Sequence, residues 1–114
     1  MINRKAIPVI FFAMLLIAIA VWVVFFSGNG GVISLQWNAS SEADLAGYKI
    51  YYGISPGNYT RSIVVTPAGD LRSGKVTYQL TGLVKGQVYF IAVTAFDKSG
   101  KESGYSEEVA GLAR

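Results

Sequence analysis

The hydrophobic pattern of the chain changes once, near residue 27. Residues 7–26 read IPVIFFAMLLIAIAVWVVFF, a continuous apolar run without a charged side chain. As an α-helix rising about 1.5 Å per residue, this run would span roughly 30 Å, the thickness of the hydrocarbon core of a bilayer. The pattern therefore predicts an N-terminal transmembrane α-helix over residues 7–26, which would contact membrane lipid.

Charges flank this apolar run unevenly. Arg4 and Lys5 precede it, whereas residues 27–41 carry no charge. Because positively charged flanks stay in the cytoplasm, the following domain is predicted to lie in the periplasm or outside the cell, on a single-pass protein of the cytoplasmic membrane. The predicted divisions are a cytoplasmic basic end, a transmembrane helix, a glycine-rich tether and an exported domain: residues 1–6, 7–26, 27–31 and 32–114.

Two other fates of the apolar segment stay open. Cleavage near Gly28 or Gly30 would release a secreted domain. Cleavage after Ala6 would produce a filament subunit. This alternative rests on a resemblance to an archaeal pilin signal in the segment NRKAIPVIFFAMLLIAIAV. The apolar helix would then self-assemble into a filament core, and the remaining domain would be displayed on the filament surface.

After the glycines, apolar residues alternate with polar ones instead of running together. Alternation with a period of two is typical of half-buried strands, and the segments between these runs are rich in residues that favour turns. Short strands without an intervening amphipathic helix predict an all-β, antiparallel β-sandwich. The predicted strands are residues 32–37, 47–52, 59–65, 75–80, 88–96 and, more weakly, 106–113.

Three motifs in this region resemble those of bacterial fibronectin type III domains. Trp37 matches the buried tryptophan of the second strand of that family. Leu83, Gly86 and Tyr89 match the L-x-x-G-x-x-Y corner, in which the tyrosine hydroxyl bonds to nearby backbone. AFDKSGKESGYSEEV resembles the last hairpin of the family. The resemblance implies an immunoglobulin-like sandwich that acts as a protein-interaction or spacer module and is not an enzyme.

The front of the domain departs from the pattern of that family. A complete domain has a strand ahead of the tryptophan strand, yet residues 27–31 alone separate the apolar run from residues 32–37. The first strand is therefore predicted to be missing or vestigial. Such a loss would leave the backbone groups of residues 32–37 open to water or to another chain.

Strand alternation also divides the side chains into two sets. The inward set is the predicted structural core, and it comprises Trp37, Tyr48, Ile50, Tyr52, Tyr78, Leu80, Leu83, Tyr89, Ile91 and Val93. The outward set includes two aromatic residues and is a candidate site for an unidentified protein partner, comprising Tyr51, Phe90, Ala92 and Thr94.

Composition removes most chemical functions. Histidine and cysteine are absent, so the common bases, thiol nucleophiles and zinc ligands are missing, and we predict no catalytic, cofactor or metal site. Residues 69–76, GDLRSGKV, resemble a phosphate-binding loop but lead into a predicted strand, which argues against nucleotide binding.

The charge balance of the predicted exported domain is nearly even. Subtracting Arg4 and Lys5 from ten basic residues leaves eight against seven acidic ones. This near-neutral balance argues against nucleic acid as a partner.

Overall fold

The computed structural model describes residues 21–24, 30–66 and 74–114. Within these residues, seven strands form two antiparallel sheets. The three-stranded sheet has the order β1-β2-β5, and the four-stranded sheet has the order β4-β3-β6-β7. The strands are β1 (Val21–Val24), β2 (Gly31–Asn38), β3 (Leu45–Gly53), β4 (Arg61–Val65), β5 (Lys75–Leu83), β6 (Val88–Asp97) and β7 (Val109–Leu112).

The first strand is present, and the prediction that it is missing or vestigial is wrong. β1 pairs antiparallel with β2, and its register places Val21 opposite Trp37 and Val24 opposite Ser34. Valine and tryptophan favour strands, but a run that is apolar on every side has no period that separates a strand from a helix. Since β2 is paired with β1 on one side and β5 on the other, it has no open edge.

The predicted transmembrane helix overlaps this strand. Apart from Val21–Val24, residues 7–26 lie outside the described part of the chain, as does most of the predicted tether. The cytoplasmic end and the pilin-like alternative also concern residues outside that part and stay predictions. Among the residues that the structure describes, no helix has the length and hydropathy needed to cross a bilayer.

The core lies between the two sheets. Trp37, Tyr48 and Ile50 are fully buried, together with Leu80, Ile91 and Val93, and Tyr52, Leu83 and Tyr89 are nearly so. Tyr78 is half-buried and packs against the edge of this core. The core extends beyond the predicted set to Ile33, Leu35, Val76 and Ala113.

Backbone bonds close one end of the sandwich. Val32 and Arg114 exchange two backbone hydrogen bonds of 3.0 and 3.1 Å, which connect β2 to the end of the chain. Beside them, the register of β2 and β5 shifts between Gly31 and Ile33. At the corner before β6, the backbone N–H of Val84 donates to the Tyr89 hydroxyl at 3.0 Å, as the L-x-x-G-x-x-Y motif predicts.

Candidate functional site

The four residues predicted as a protein-binding patch lie on the outer face of the four-stranded sheet. Tyr51 on β3 is directly opposite Ala92 on β6, while Phe90 and Thr94 occupy the equivalent positions on either side of Ala92. Tyr51 and Phe90 are half-buried, but Ala92 is fully buried and Thr94 is 2% exposed. Of the four predicted residues, Tyr51 and Phe90 therefore contribute accessible surface to this face, and Ala92 and Thr94 do not.

Two tyrosines from loops join Tyr51 on this face. Tyr59 precedes β4 and Tyr105 precedes β7, and we call these three residues the tyrosine cluster. The ring of Tyr105 packs edge-on against Tyr51 at 5.1 Å between centroids and against Tyr59 at 5.3 Å. Such T-shaped contacts stabilise aromatic pairs beyond the burial of area alone. Tyr105 remains 59% exposed and presents much of its ring to solvent.

Two serines hold the segment that carries Tyr105 against β6. The backbone N–H groups of Ser103 and Ser106 donate to the carbonyls of Ala95 and Val93, both at 2.8 Å. In return, the two serine hydroxyls accept from the backbone N–H groups of Ala95 and Val93 at 2.9 and 2.8 Å. Each hydroxyl thus takes the place of a backbone carbonyl as hydrogen-bond acceptor. An irregular segment can therefore satisfy the backbone N–H groups along this side of β6.

Two carboxylates hold the other two rings of the cluster. Glu102 accepts hydrogen bonds from the Tyr51 hydroxyl and from Thr94 Oγ1, the latter at 2.7 Å. Glu108 accepts from the Tyr59 hydroxyl at 2.6 Å and from the backbone N–H of Gly57 at 2.8 Å. Each carboxylate therefore connects a ring to another segment of the chain, which restricts the motion of the cluster.

Both hydrogen-bonded tyrosines resist ionisation. Desolvation by burial, followed by the bond to Glu108 and its charge, raises the pKa of Tyr59 to about 12. The same causes, with Glu102 as the partner, raise the pKa of Tyr51. Loss of either hydroxyl proton would place a phenolate against a carboxylate in a partly desolvated site. The cluster therefore combines the hydroxyls of Tyr51 and Tyr59 with two carboxylates. The ammonium of Lys49 also lies over the Tyr51 ring, 5.3 Å from its centroid.

The remaining acidic loop has a structural role. Asp97 Oδ1 accepts from the backbone N–H groups of Ser99 and Lys101, each at 2.9 Å, and from the Ser99 hydroxyl at 2.6 Å. These bonds, that of the Ser99 side chain first, lower the pKa of the Asp97 carboxyl. Among the described residues, no group of three or more acidic, histidine or cysteine side chains is arranged to hold a metal ion.

Sequence reasoning located Tyr51 but did not identify the other members of this site. Tyr59 falls at the start of a predicted strand, and Tyr105 falls in a turn-rich segment, so periodicity gave no reason to join them. Likewise, no periodic pattern of the sequence places Glu102 or Glu108 next to the tyrosines. The sequence does place Tyr59 in the segment before β4 and three further members before β7, namely Glu102, Tyr105 and Glu108. That these two segments meet depends on strand order, which the sequence pattern does not show.

Solved structures share this fold. The FN1–FN3 domains of chicken CNTN1 give a TM-score of 0.64 at 23% identity, covering 82% of this chain and 30% of that chain. A myokine structure gives 0.62 at 19% identity, covering 84% of this chain and 95% of that chain. A β-1,2-glucanase from Parabacteroides distasonis gives 0.59 at 22% identity, covering 83% of this chain and 13% of that chain. At these identities the likeness shows the fold alone.

Comparison at the level of sequence gives the family. No curated protein matches this chain. The family model of the fibronectin type III domain matches residues 22–111, from within β1 to within β7. A domain of this family is typically a non-enzymatic module for protein interaction or spacing, and the glucanase carries its similar region as a small part of a larger enzyme. The chain belongs to the fibronectin type III family.

Proposed function

We propose that this chain is a non-enzymatic fibronectin type III module that acts outside the cytoplasmic membrane and contacts a protein partner through the tyrosine cluster. The observation that carries the proposal is the exposure of Tyr105 at 59%, on a set of rings already fixed by hydrogen bonds. Tyrosine is enriched at the centres of protein interfaces, because it buries a large area while few of its torsions must be ordered.

The rim of the cluster suits a partner with basic residues. Glu102 and Glu108 are both exposed, and the hydrogen bonds that orient them are made by Oε2 of Glu102 and Oε1 of Glu108. A carboxylate that is already oriented binds an arginine or lysine with less ordering than a free one. The aromatic rings would supply the apolar centre of the contact.

The location outside the membrane is supported by the N-terminal sequence. Arg4 and Lys5 precede the apolar segment and no charge follows it until Glu42, which favours export of the domain. The sequence predicts that residues 7–26 anchor the domain in the membrane as a helix. Residues 21–24 cannot belong to this helix and to β1 at the same time.

Photo-cross-linking in cells that export the chain tests the interaction. A benzophenone amino acid is placed at position 105 or, as a matched control, at the exposed position of Gln79 on the opposite sheet. We expect a discrete protein adduct from position 105 that is weakened by Tyr59→Ala and not produced from position 79. The same adducts from both positions, or none from position 105, would exclude the cluster as an interface and leave the spacer role.

A further inference from the structure

The backbone of residues 21–24 belongs to the folded domain. β1 is registered against four consecutive residues of β2, from Ser34 to Trp37. Cα atoms of β1 also come within 8 Å of β7 in the other sheet. A residue that pairs in a sheet outside the membrane cannot at the same time belong to a helix within the hydrocarbon core. Formation of β1 therefore shortens any apolar helix that precedes it.

The apolar segment that remains is too short to cross a bilayer. With Val21–Val24 in the sheet, the run extends from Ile7 to Ala20. At about 1.5 Å per residue, a helix over this run reaches roughly 21 Å, against the roughly 30 Å of a hydrocarbon core. The same length falls within the about 7 to 15 apolar residues of a secretory signal peptide. Arg4 and Lys5 supply the positive region that precedes such a segment.

The junction between this segment and β1 has the sequence of a cleavage site. Ala18-Ile19-Ala20 directly precedes Val21, the first residue of β1. Signal peptidases select small residues at the first and third positions before the scissile bond. We infer that residues 1–20 are a removable leader and that the Ala20–Val21 peptide bond is its processing site. Water adds across this amide bond, leaving a carboxylate on Ala20 and an amino group on Val21.

Processing at this bond preserves the whole sandwich. Cleavage near Gly28 or Gly30 would remove β1 and open one edge of β2, and retention of residues 7–26 in lipid would do the same. The inferred bond leaves every described strand in the mature domain. The match to the fibronectin type III family also begins at Trp22, one residue after the inferred N-terminus. The inference extends the proposed function by defining the form in which the domain leaves the membrane.

N-terminal sequencing and intact mass of the full chain, expressed with a C-terminal tag in an exporting bacterial host, test this inference. Membrane and soluble fractions are analysed separately. We expect Val21 at the N-terminus of the exported product. Met1 on an exported product would show an uncleaved anchor, Ile7 a pilin-like subunit, and a start beyond Val24 a domain without β1. Each of these three results would overturn the inference.

Two variants identify the bond in the same host. Ala20→Leu places a large side chain next to the scissile bond, so we expect the exported product to keep residues 1–20. Ala13→Leu makes the same substitution inside the apolar run. We expect this variant to be cleaved at the Ala20–Val21 bond and to begin at Val21, like the original chain. Equal processing of both variants would overturn the assignment. The N-terminus is read without reference to any partner, so a negative cross-linking result at position 105 would not affect this test.

Discussion

At the scale of single residues, Trp37 is central to the core. It has the largest fully buried side chain among the described residues, and its ring packs edge-on against Tyr48 at 5.3 Å between centroids. The Tyr48 hydroxyl in turn accepts from the backbone N–H of Ser40 at 2.5 Å. Since the chain has no cysteine, this packing is not supplemented by a disulfide.

Replacing Trp37 by alanine should therefore destabilise the domain severely. A buried tryptophan replaced by alanine costs about 3–5 kcal/mol, a large share of the roughly 5–15 kcal/mol typical of a folded domain. Urea unfolding followed by circular dichroism measures the change. Val64→Ala is the control, because Val64 is 54% exposed and should shift the free energy of unfolding by about 0.5 kcal/mol or less. Equal shifts for the two variants would contradict the assigned core.

The tyrosine cluster gives a second residue-scale prediction, which concerns alkaline pH. Burial and the bond to Glu108 raise the folded-state pKa of Tyr59 to about 12, from an ordinary value of 10.0. Its contribution to stability is therefore fully present below pH 10 and is lost as pH rises through about 12. Tyrosinate absorbance should show a tyrosine that titrates near pH 12 and is missing from Tyr59→Phe. Ionisation of Tyr59 at its ordinary pKa would show that the bond to Glu108 does not persist in solution.

At the scale of elements, the contact between β2 and β5 depends on Gly31. A Cβ built on Gly31 would lie 1.9 Å from the carbonyl oxygen of Leu83, which is backbone and cannot rotate away. The position lies next to the register shift between the two strands. Glycine is required here because the two backbones approach more closely than a side chain permits.

Gly31→Ala should accordingly strain the pairing of β2 and β5. Overpacking of this kind costs about 1–3 kcal/mol, which thermal or urea unfolding can measure. Gly104→Ala is a matched control, since a Cβ on Gly104 meets no atom within 4 Å. We expect the control to change the free energy of unfolding by about 0.5 kcal/mol or less. A neutral Gly31→Ala variant would mean that the two strands are further apart than described.

At the scale of the whole molecule, strand order decides which edges face solvent. In the described part of the chain the edge strands are β1 and β5 of one sheet and β4 and β7 of the other. β2, which bears Trp37, is internal, so an assembly through a strand added to β2 would first require the removal of β1. The tyrosine cluster lies on the outer face of the four-stranded sheet, away from that edge.

Removal of β1 should weaken the domain and expose β2. A chain of residues 30–114 is compared with one of residues 21–114. Four cross-strand pairs, at about 0.2–1 kcal/mol each, predict a loss of about 1–4 kcal/mol in the free energy of unfolding. In hydrogen exchange, alternate amides of residues 32–37 should lose protection in the shorter chain. Equal stability and equal protection in the two chains would show that β1 does not pair with β2. The edge of β2 would then be open, as the sequence predicts.

The sequence by itself determined the sandwich and most of its core. Tyr48, Ile50 and Tyr52 are buried because a strand turns every second side chain to the same side, and this alternation is local and visible in the residues. The L-x-x-G-x-x-Y motif likewise predicted the hydrogen bond from the backbone N–H of Val84 to the Tyr89 hydroxyl. The two residues are only five positions apart, so this bond depends on a local turn. These features depend on neighbours in sequence.

Tertiary structure alone decided the rest. Val21–Val24 form a strand because β2 supplies hydrogen-bonding partners, whereas their unbroken apolar sequence suits a helix equally well. Tyr59 and Tyr105 meet Tyr51 because strand order brings two distant loops over one sheet face, and loops carry no periodic signal. Thr94 is buried on the outer face and donates a hydrogen bond to Glu102, and this contact joins segments whose relative placement depends on the folded sheet.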